Sequence, residues 1–320
     1  SEKRRMRWLA LLLARAGASR TAVRTVRMMA SRPEISEHDK FFFDLNGFLV
    51  VRNVFTPEEV AAANAAIDAH SAQLRSREAA ALRNAKDGTP MSAKGPRKDM
   101  GGMLWWEQPH CDVFRQVLVH PRLVPYYTAL CGDGFRLDHQ PLVIAQSSNS
   151  EGFALHGGPI SGADGVPAGQ FNPELQYRCV GGQMWTTLLA ASVQLCDHAP
   201  GDGGFAIVRG SHKLNLPVPD DVANGLGGIS EHLFQPTTKA GDVVLWSEAT
   251  VHGATPWRAA HERRIALYRF APANMGYGRG YLSHPPEARA RRPSPRRTPL
   301  PSRAALMRIT PGSHPTHPNS

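Results

Sequence analysis

The apolar positions of this chain change texture near residue 135. Before it, they recur at helical spacing; after it, they come in short runs broken by Gly, Pro and Asp. Residues 39–46 carry Phe41, Phe42, Phe43 and Leu45 and stop at Gly47, which predicts a short helix with a glycine past its end. Phe48-Leu49-Val50-Val51 then reads as a strand. Thr56-Pro57-Glu58-Glu59 is a helix start: Thr caps, Pro occupies the first turn, and Glu stands three residues on to close a capping box. The Ala-rich run to about Ala81 is the predicted helix, residues 84–102 are a Gly/Pro/Lys-rich loop and a candidate lid, and residues 121–130 are a second helix ending near Gly132. Strands are expected at 142–145, 152–155, 184–195, 205–208, 243–246 and 265–270. Many short strands after a helical start predict a mainly β barrel or jelly roll with helices packed outside.

Charge changes this picture only at the ends. The formal net charge is +10, yet residues 1–33 hold nine Lys or Arg against Glu2, and residues 285–320 hold seven Arg against Glu287. The stretch between, 34–284, carries 21 basic and 25 acidic residues, so the predicted folded body has no basic excess and nucleic acid is not an expected partner. Three segments follow: a basic N-terminal extension (1–33), one folded domain (34–284) and a disordered Pro/Arg-rich tail (285–320). The first is Arg-rich and acid-poor, as in a mitochondrial or other organelle transit peptide; a short signal peptide, or translated upstream sequence with Met28 or Met29 as the start, are the alternatives. Its apolar run, Trp8 to Ala14, is far below the roughly 20 residues that span a bilayer, so the expectation is a soluble intracellular protein. Cys111, Cys131, Cys179 and Cys196 have neither CxxC pairing nor zinc-like spacing, and reduced thiols are expected.

The chemistry rests on histidine. Fourteen are present, so any one of them is more often structural than a ligand. His156 and His252 stand out because each closes an apolar, strand-like run and would be delivered to the mouth of a barrel. Two neutral imidazoles that far apart suit a mononuclear non-haem iron site, in which a carboxylate usually stands two residues after the first histidine. Here that residue is Gly158, within His156-Gly157-Gly158.

Phe48-Leu49-Val50-Val51, Thr56-Pro57-Glu58-Glu59-Val60, His156, Gly201-Asp202-Gly203-Gly204-Phe205, Gly210-Ser211-His212-Lys213, Gly241-Asp242-Val243-Val244, His252-Gly253 and Arg263 occur in the order seen in the phytanoyl-CoA dioxygenase family. The chain resembles that family over about residues 36–272. The resemblance implies a double-stranded β-helix and an oxygenase that uses Fe(II), 2-oxoglutarate and dioxygen on a C–H bond of a small organic substrate. It implies that His156 and His252 hold the iron, that Arg263 pairs with the distal carboxylate of 2-oxoglutarate, and that Thr255 is a second cosubstrate contact. A guanidinium is suited to that task, since it meets a carboxylate with two parallel donors and keeps its charge. Arg264 competes, but neighbours on a strand face opposite sides. His212 and His139 are expected to be structural, Asp242 a turn residue, and Glu248 an acceptor that orients His252.

Gly158 departs from the family's pattern, and three completions stay open. Sequences with His-x-Gly resemble 2-oxoglutarate-dependent halogenases, in which chloride or bromide fills the vacated position. Alternatively a carboxylate from elsewhere completes the site, with Glu151, Asp164 and Glu174 as candidates, or water does and the protein binds ligand without turnover. Trp105, Trp106, Trp185, Phe205 and Trp246 are read as aromatic core, and the basic run Lys94–Lys98 as a solvated loop.

Overall fold

The sheet that carries the molecule begins with the first predicted strand. In the computed structural model, which describes residues 34–76, 85–161, 170–172 and 174–277, α1 (Glu37–Asn46) turns at Gly47 directly into β1 (Phe48–Val51). Then comes α2 (Pro57–Ala69), with the capping box complete: Thr56 Oγ1 accepts from the Glu59 amide and Glu59 Oε2 from the Thr56 amide. The helix ends at His70, well short of Ala81, where the imidazole Nδ1 meets the Ala66 carbonyl at 2.8 Å and the ring stacks on Trp106. β2 (Arg75–Ser76) and β3 (Lys98–Gly101) come next, so the stretch expected to be only loop contains a strand. Two further helices, α3 (Asp112–Gln116) and α4 (Val124–Cys131), complete the helical part.

From here the chain is mostly strand: β4 (Arg136–Leu137), β5 (Leu142–Gln146), β6 (Phe153–His156), β7 (Ile160–Ser161), β8 (Gln170–Phe171), β9 (Tyr177–Val180), β10 (Gln183–Thr186), β11 (Leu189–Gln194) and β12 (Gly204–Val208). The expected long strand over 184–195 is two strands, broken at Thr187-Leu188. β13 (Leu233–Phe234), β14 (Val243–Ser247), β15 (His252–Thr255) and β16 (Arg263–Ala271) close the described part. β15 was not among the expected strands.

The larger sheet runs β1-β14-β11-β16-β5-β3-β2, with β4 also on β16; the smaller runs β13-β12-β15-β6. The pairings within both sheets are antiparallel. The inner faces meet in a core of Phe48, Ile144, Ala190, Val244 and Ile265 from the larger sheet and Ile207 from the smaller. This is the predicted mainly β double-stranded β-helix, with helices on its N-terminal side. β11, β14 and β16 are buried on both faces and read as nearly continuous apolar runs, the larger sheet being sandwiched between that core and the helices. Asp242 is a turn residue, as expected, but a buried one: its carboxylate accepts from Arg52 Nη1 and from the Asn53 and Lys239 amides.

No helix among the described residues is long and apolar enough to cross a membrane. The expected N-terminal extension, Asp164 and the C-terminal tail lie outside the described residues. The four cysteines are free thiols.

Candidate metal centre and cosubstrate pocket

His156 and His252 face each other across one pair of strands. β6 and β15 are antiparallel, His156 pairs with His252 in register, and the ring centroids stand 4.2 Å apart. The register shifts between this pair and the Phe153–Ala254 pair, with an extra residue on β6. Such a bulge bends the strand and re-aims the side chain at its end. Each ring is oriented the same way: His156 Nδ1 lies 3.0 Å from the Ala154 carbonyl and His252 Nδ1 2.7 Å from the Thr250 carbonyl. A carbonyl accepts only, so each Nδ1 carries a proton, and in the neutral imidazole each Nε2 then keeps the lone pair that a metal needs.

A carboxylate completes the cluster, and it comes from Glu248. Its Oε2 lies 3.4 Å from His252 Nε2, while its Oε1 accepts from Arg269 Nε at 2.8 Å. One donor atom from each of His156, Glu248 and His252 falls within 4.8 Å of the others. Burial pushes the Glu248 carboxyl up, but the Arg269 charge, joined by that of His252 and His156 when they are protonated, outweighs it and holds the group well below the usual carboxylate range. Two imidazole nitrogens and one carboxylate oxygen on one side of a cavity are the donor set that suits ferrous iron with positions left open, so these residues fit that ion.

Arg263 lies in the same cavity, fully buried on β16. Its Nη1 donates to Gln146 Oε1 at 2.6 Å and its Nε to His198 Nε2 at 3.1 Å. Both acceptors are held in turn: Gln146 Nε2 donates to the Glu151 carbonyl, and His198 Nδ1 meets Thr238 Oγ1 at 3.0 Å. Burial, helped by the Arg263 charge, lowers the His198 pKa to about 3, so this imidazole is neutral and its Nε2 accepts. Burial also lowers Arg263 itself to about 10, which leaves it cationic at neutral pH. Among the described residues no carboxylate stands within ion-pair distance of it. Arg97 and Arg269 line the same cavity but are paired, with Asp99 and Glu248. Arg264 points the other way, to Asp68 and Glu262, as strand alternation requires.

The cavity has a volume of about 640 Å³, and it brings His156, Glu248, His252 and Arg263 to one wall system. Ile144, Phe153, Phe205 and Trp246 make much of the rest apolar, with His139 and Tyr277 adding polar groups. Phe205 and Trp246 are therefore cavity walls as well as core.

The expected residues divide. His156, His252 and Arg263 converge. Gly158 is not among the residues lining the cavity, and the position expected to be vacant beside the rings has the Glu248 carboxylate next to it. Glu151 and Glu174 lie outside the donor cluster, the first with its carbonyl on Gln146 and the second with its carbonyl accepting from Thr187. Thr255 Oγ1 accepts from Gln235 Nε2 at 2.7 Å, and Ala254 lines the cavity in its place. His212 is structural, its Nε2 against the Asp44 carbonyl, whereas His139 does reach the cavity. Arg97, read as part of a solvated loop, is buried over the Phe153 ring and bonded twice to Asp99. The orienting residues Gln146, His198 and Arg269 carried no motif that singled them out.

The phytanoyl-CoA dioxygenase (PhyH) family profile matches residues 43–265. Among solved structures, HygX from Streptomyces hygroscopicus with nickel, 2-oxoglutarate and hygromycin B bound is 21% identical, with a TM-score of 0.60 over 78% of this chain and 98% of that one. The iron-bound form of the same protein is 22% identical, with a TM-score of 0.60 over 79% and 98%. EctD from S. alaskensis with 2-oxoglutarate and 5-hydroxyectoine is 20% identical, with a TM-score of 0.51 over 76% and 78%. At such identities the likeness speaks for the fold. No curated protein matches the chain. The profile match, on the double-stranded β-helix described above, shows that the chain belongs to the phytanoyl-CoA dioxygenase family and is an enzyme of the Fe(II)/2-oxoglutarate-dependent dioxygenase type.

Proposed function

We propose that this enzyme oxidises a C–H bond of a small organic substrate with an apolar body, using Fe(II), 2-oxoglutarate and dioxygen. The observation that carries this reading is a single cavity holding two imidazoles and a carboxylate whose donor atoms cluster, together with a buried arginine whose hydrogen bonds go to neutral groups. Iron, 2-oxoglutarate and dioxygen supply the oxidising chemistry when bound. His156 and His252 hold the metal through Nε2. Arg263 offers its unpaired charge to the distal carboxylate of 2-oxoglutarate, and Gln146 and His198 fix the plane of its guanidinium. A buried cation without a counter-charge is costly, so an incoming carboxylate is stabilised by the charge it neutralises. The apolar walls hold the body of the substrate and keep water away from the reacting end.

Oxygen insertion is favoured over halide transfer because Glu248 already brings a negative charge to the two rings. A chloride or bromide beside them would have to share that space. Turnover is favoured over mere ligand binding because the donors for metal and for cosubstrate are both oriented by built hydrogen bonds. Anaerobic titration with Fe(II) and 2-oxoglutarate tests the reading: a metal-to-ligand charge-transfer band is expected, followed by succinate formation when dioxygen is admitted. The reading is sunk if 2-oxoglutarate binding does not depend on the metal, or if His156→Ala and His252→Ala bind it as the wild type does.

A further inference from the structure

We infer that Glu248 is the third protein ligand of the metal, so that the carboxylate given up at Gly158 is supplied from the turn before the second histidine. The inference rests on the proposed iron site and goes beyond it in naming a ligand outside the family's motif. Three features of the chain carry it.

The first is where a side chain at residue 158 would go. Gly158 has φ +95°, and a Cβ built on it would have as nearest neighbours the Ile160 carbonyl oxygen at 3.7 Å, Val251 Cγ2 at 3.7 Å and Val218 Cγ2 at 3.9 Å. Val251 and Val218 pack in an apolar cluster with Met91, Leu155 and Ile229. A carboxylate at 158 would thus leave toward valines, in a backbone conformation that L-residues avoid.

The second is what the two glycines make room for. A Cβ on Gly157 would lie 2.6 Å from the Thr250 carbonyl oxygen and 2.8 Å from that of Glu248. The Gly158 amide donates to the Ala249 carbonyl at 3.0 Å. The backbone of residues 248–250 is therefore seated directly on the Gly-Gly pair, and any larger residue at 157 would push it off. The feature that removes the usual ligand is the one that admits the segment carrying Glu248.

The third is how firmly that segment is held. Ser247 and Thr250 close a turn, with the Thr250 amide donating to the Ser247 carbonyl at 2.8 Å. The Glu248 amide donates to the Leu188 carbonyl, Thr250 Oγ1 to the Gly47 carbonyl, and Ser211 Oγ accepts from the Val251 amide. Arg269 fixes one carboxylate oxygen, which leaves Oε2 on the side of the rings. A ligand needs this kind of support to be preorganised. The plainer alternative is that Glu248 serves only as the buried partner of Arg269.

Metal affinity separates the two. Purified full-length protein is titrated anaerobically with Fe(II), and with Co(II) for its visible d–d bands. Glu248→Gln is expected to weaken both metals by at least about tenfold and to change the Co(II) spectrum. The double variant Glu248→Gln/Arg269→Gln, which replaces the ion pair by two amides, is expected to remain as weak as the single one. Restored affinity in the double variant, or wild-type affinity and spectrum in the single one, overturns the inference. Should both variants fail to fold, a crystal structure of the metal-loaded wild type decides. A Glu248 oxygen in the coordination sphere supports the inference; water or halide there, with Glu248 bonded to Arg269 alone, overturns it. His156→Ala keeps the levels apart: if the wild type binds no metal, the iron site itself fails, whereas metal binding that needs His156 but not Glu248 removes only this ligand.

Discussion

Arg263 concentrates the case for a cosubstrate in one side chain. It is buried, cationic, and bonded to an amide oxygen and a neutral imidazole. Removing one partner of a buried charge pair costs on the order of 2 kcal/mol or more, so Arg263→Gln should weaken 2-oxoglutarate by at least about 30-fold. Arg263→Lys keeps the charge without the planar fork and should fall between. Competition binding against 2-oxoglutarate checks both, and equal affinity in all three proteins would dismiss Arg263 as the anion's partner. Gly158 carries the opposite expectation. Its positive φ makes Gly158→Ala strained, at a cost of roughly 1–3 kcal/mol in thermal unfolding, while the affinity for metal stays at the wild-type level. A large loss of metal affinity would place position 158 at the metal after all.

At the scale of elements, the turn between β14 and β15 is where reading the sequence and seeing the fold diverge most. His156, His252 and Arg263 were legible because each ends or begins an apolar run in a recognisable order. From the sequence Glu248 reads only as an orienting acceptor, since the family's pattern puts the carboxylate two residues after the first histidine, at Gly158. A signal was present: an acid four residues before a candidate histidine, in the otherwise apolar and hydroxylic run Val243–Val251, is a buried charge that needs a partner. β15 escaped notice because His252-Gly253-Ala254-Thr255 has little β propensity and is held by its neighbours β12 and β6. β3 escaped because Lys98-Asp99-Met100-Gly101 is polar and lies toward the sheet's edge, followed only by the short β2. The start of α2 was legible for the reverse reason, since its cap is local chemistry. Thr56→Ala should lower stability by about 1 kcal/mol in chemical denaturation, and no change would mean that Pro57 and packing suffice to start the helix.

For the whole molecule, two buried histidines away from the metal donors set an acid limit. Burial lowers His198 to about 3, aided by the nearby Arg263 and His261 and opposed by Asp197. Burial likewise lowers His212 to about 4, aided by Lys213 and opposed by the Asp44 carbonyl and carboxylate. Unfolded, both titrate near 6.5, so between that pH and their native values the unfolded chain binds protons that the native protein does not. Stability is therefore complete above about pH 6.5 and falls as the pH drops toward 4, by about 1.4 kcal/mol per unit of difference and per group. Denaturant midpoints between pH 7.5 and 4.5 test this, and His198→Gln should flatten part of the slope. A second global expectation concerns salt: exchanging chloride for acetate should leave 2-oxoglutarate affinity unchanged, whereas tighter binding in chloride would revive halide transfer.

The facing of His156 and His252 across neighbouring strands reaches beyond catalysis. Nearly a hundred residues of chain separate them, and an ion seated between them would act as a removable staple joining distant parts of the polypeptide. Occupancy at a hundredfold excess over the dissociation constant adds about 2.7 kcal/mol to the folded form. Chelation should accordingly lower the melting temperature, loosening the β6–β15 edge of the smaller sheet first, with amide exchange there rising before it does in β11 or β16.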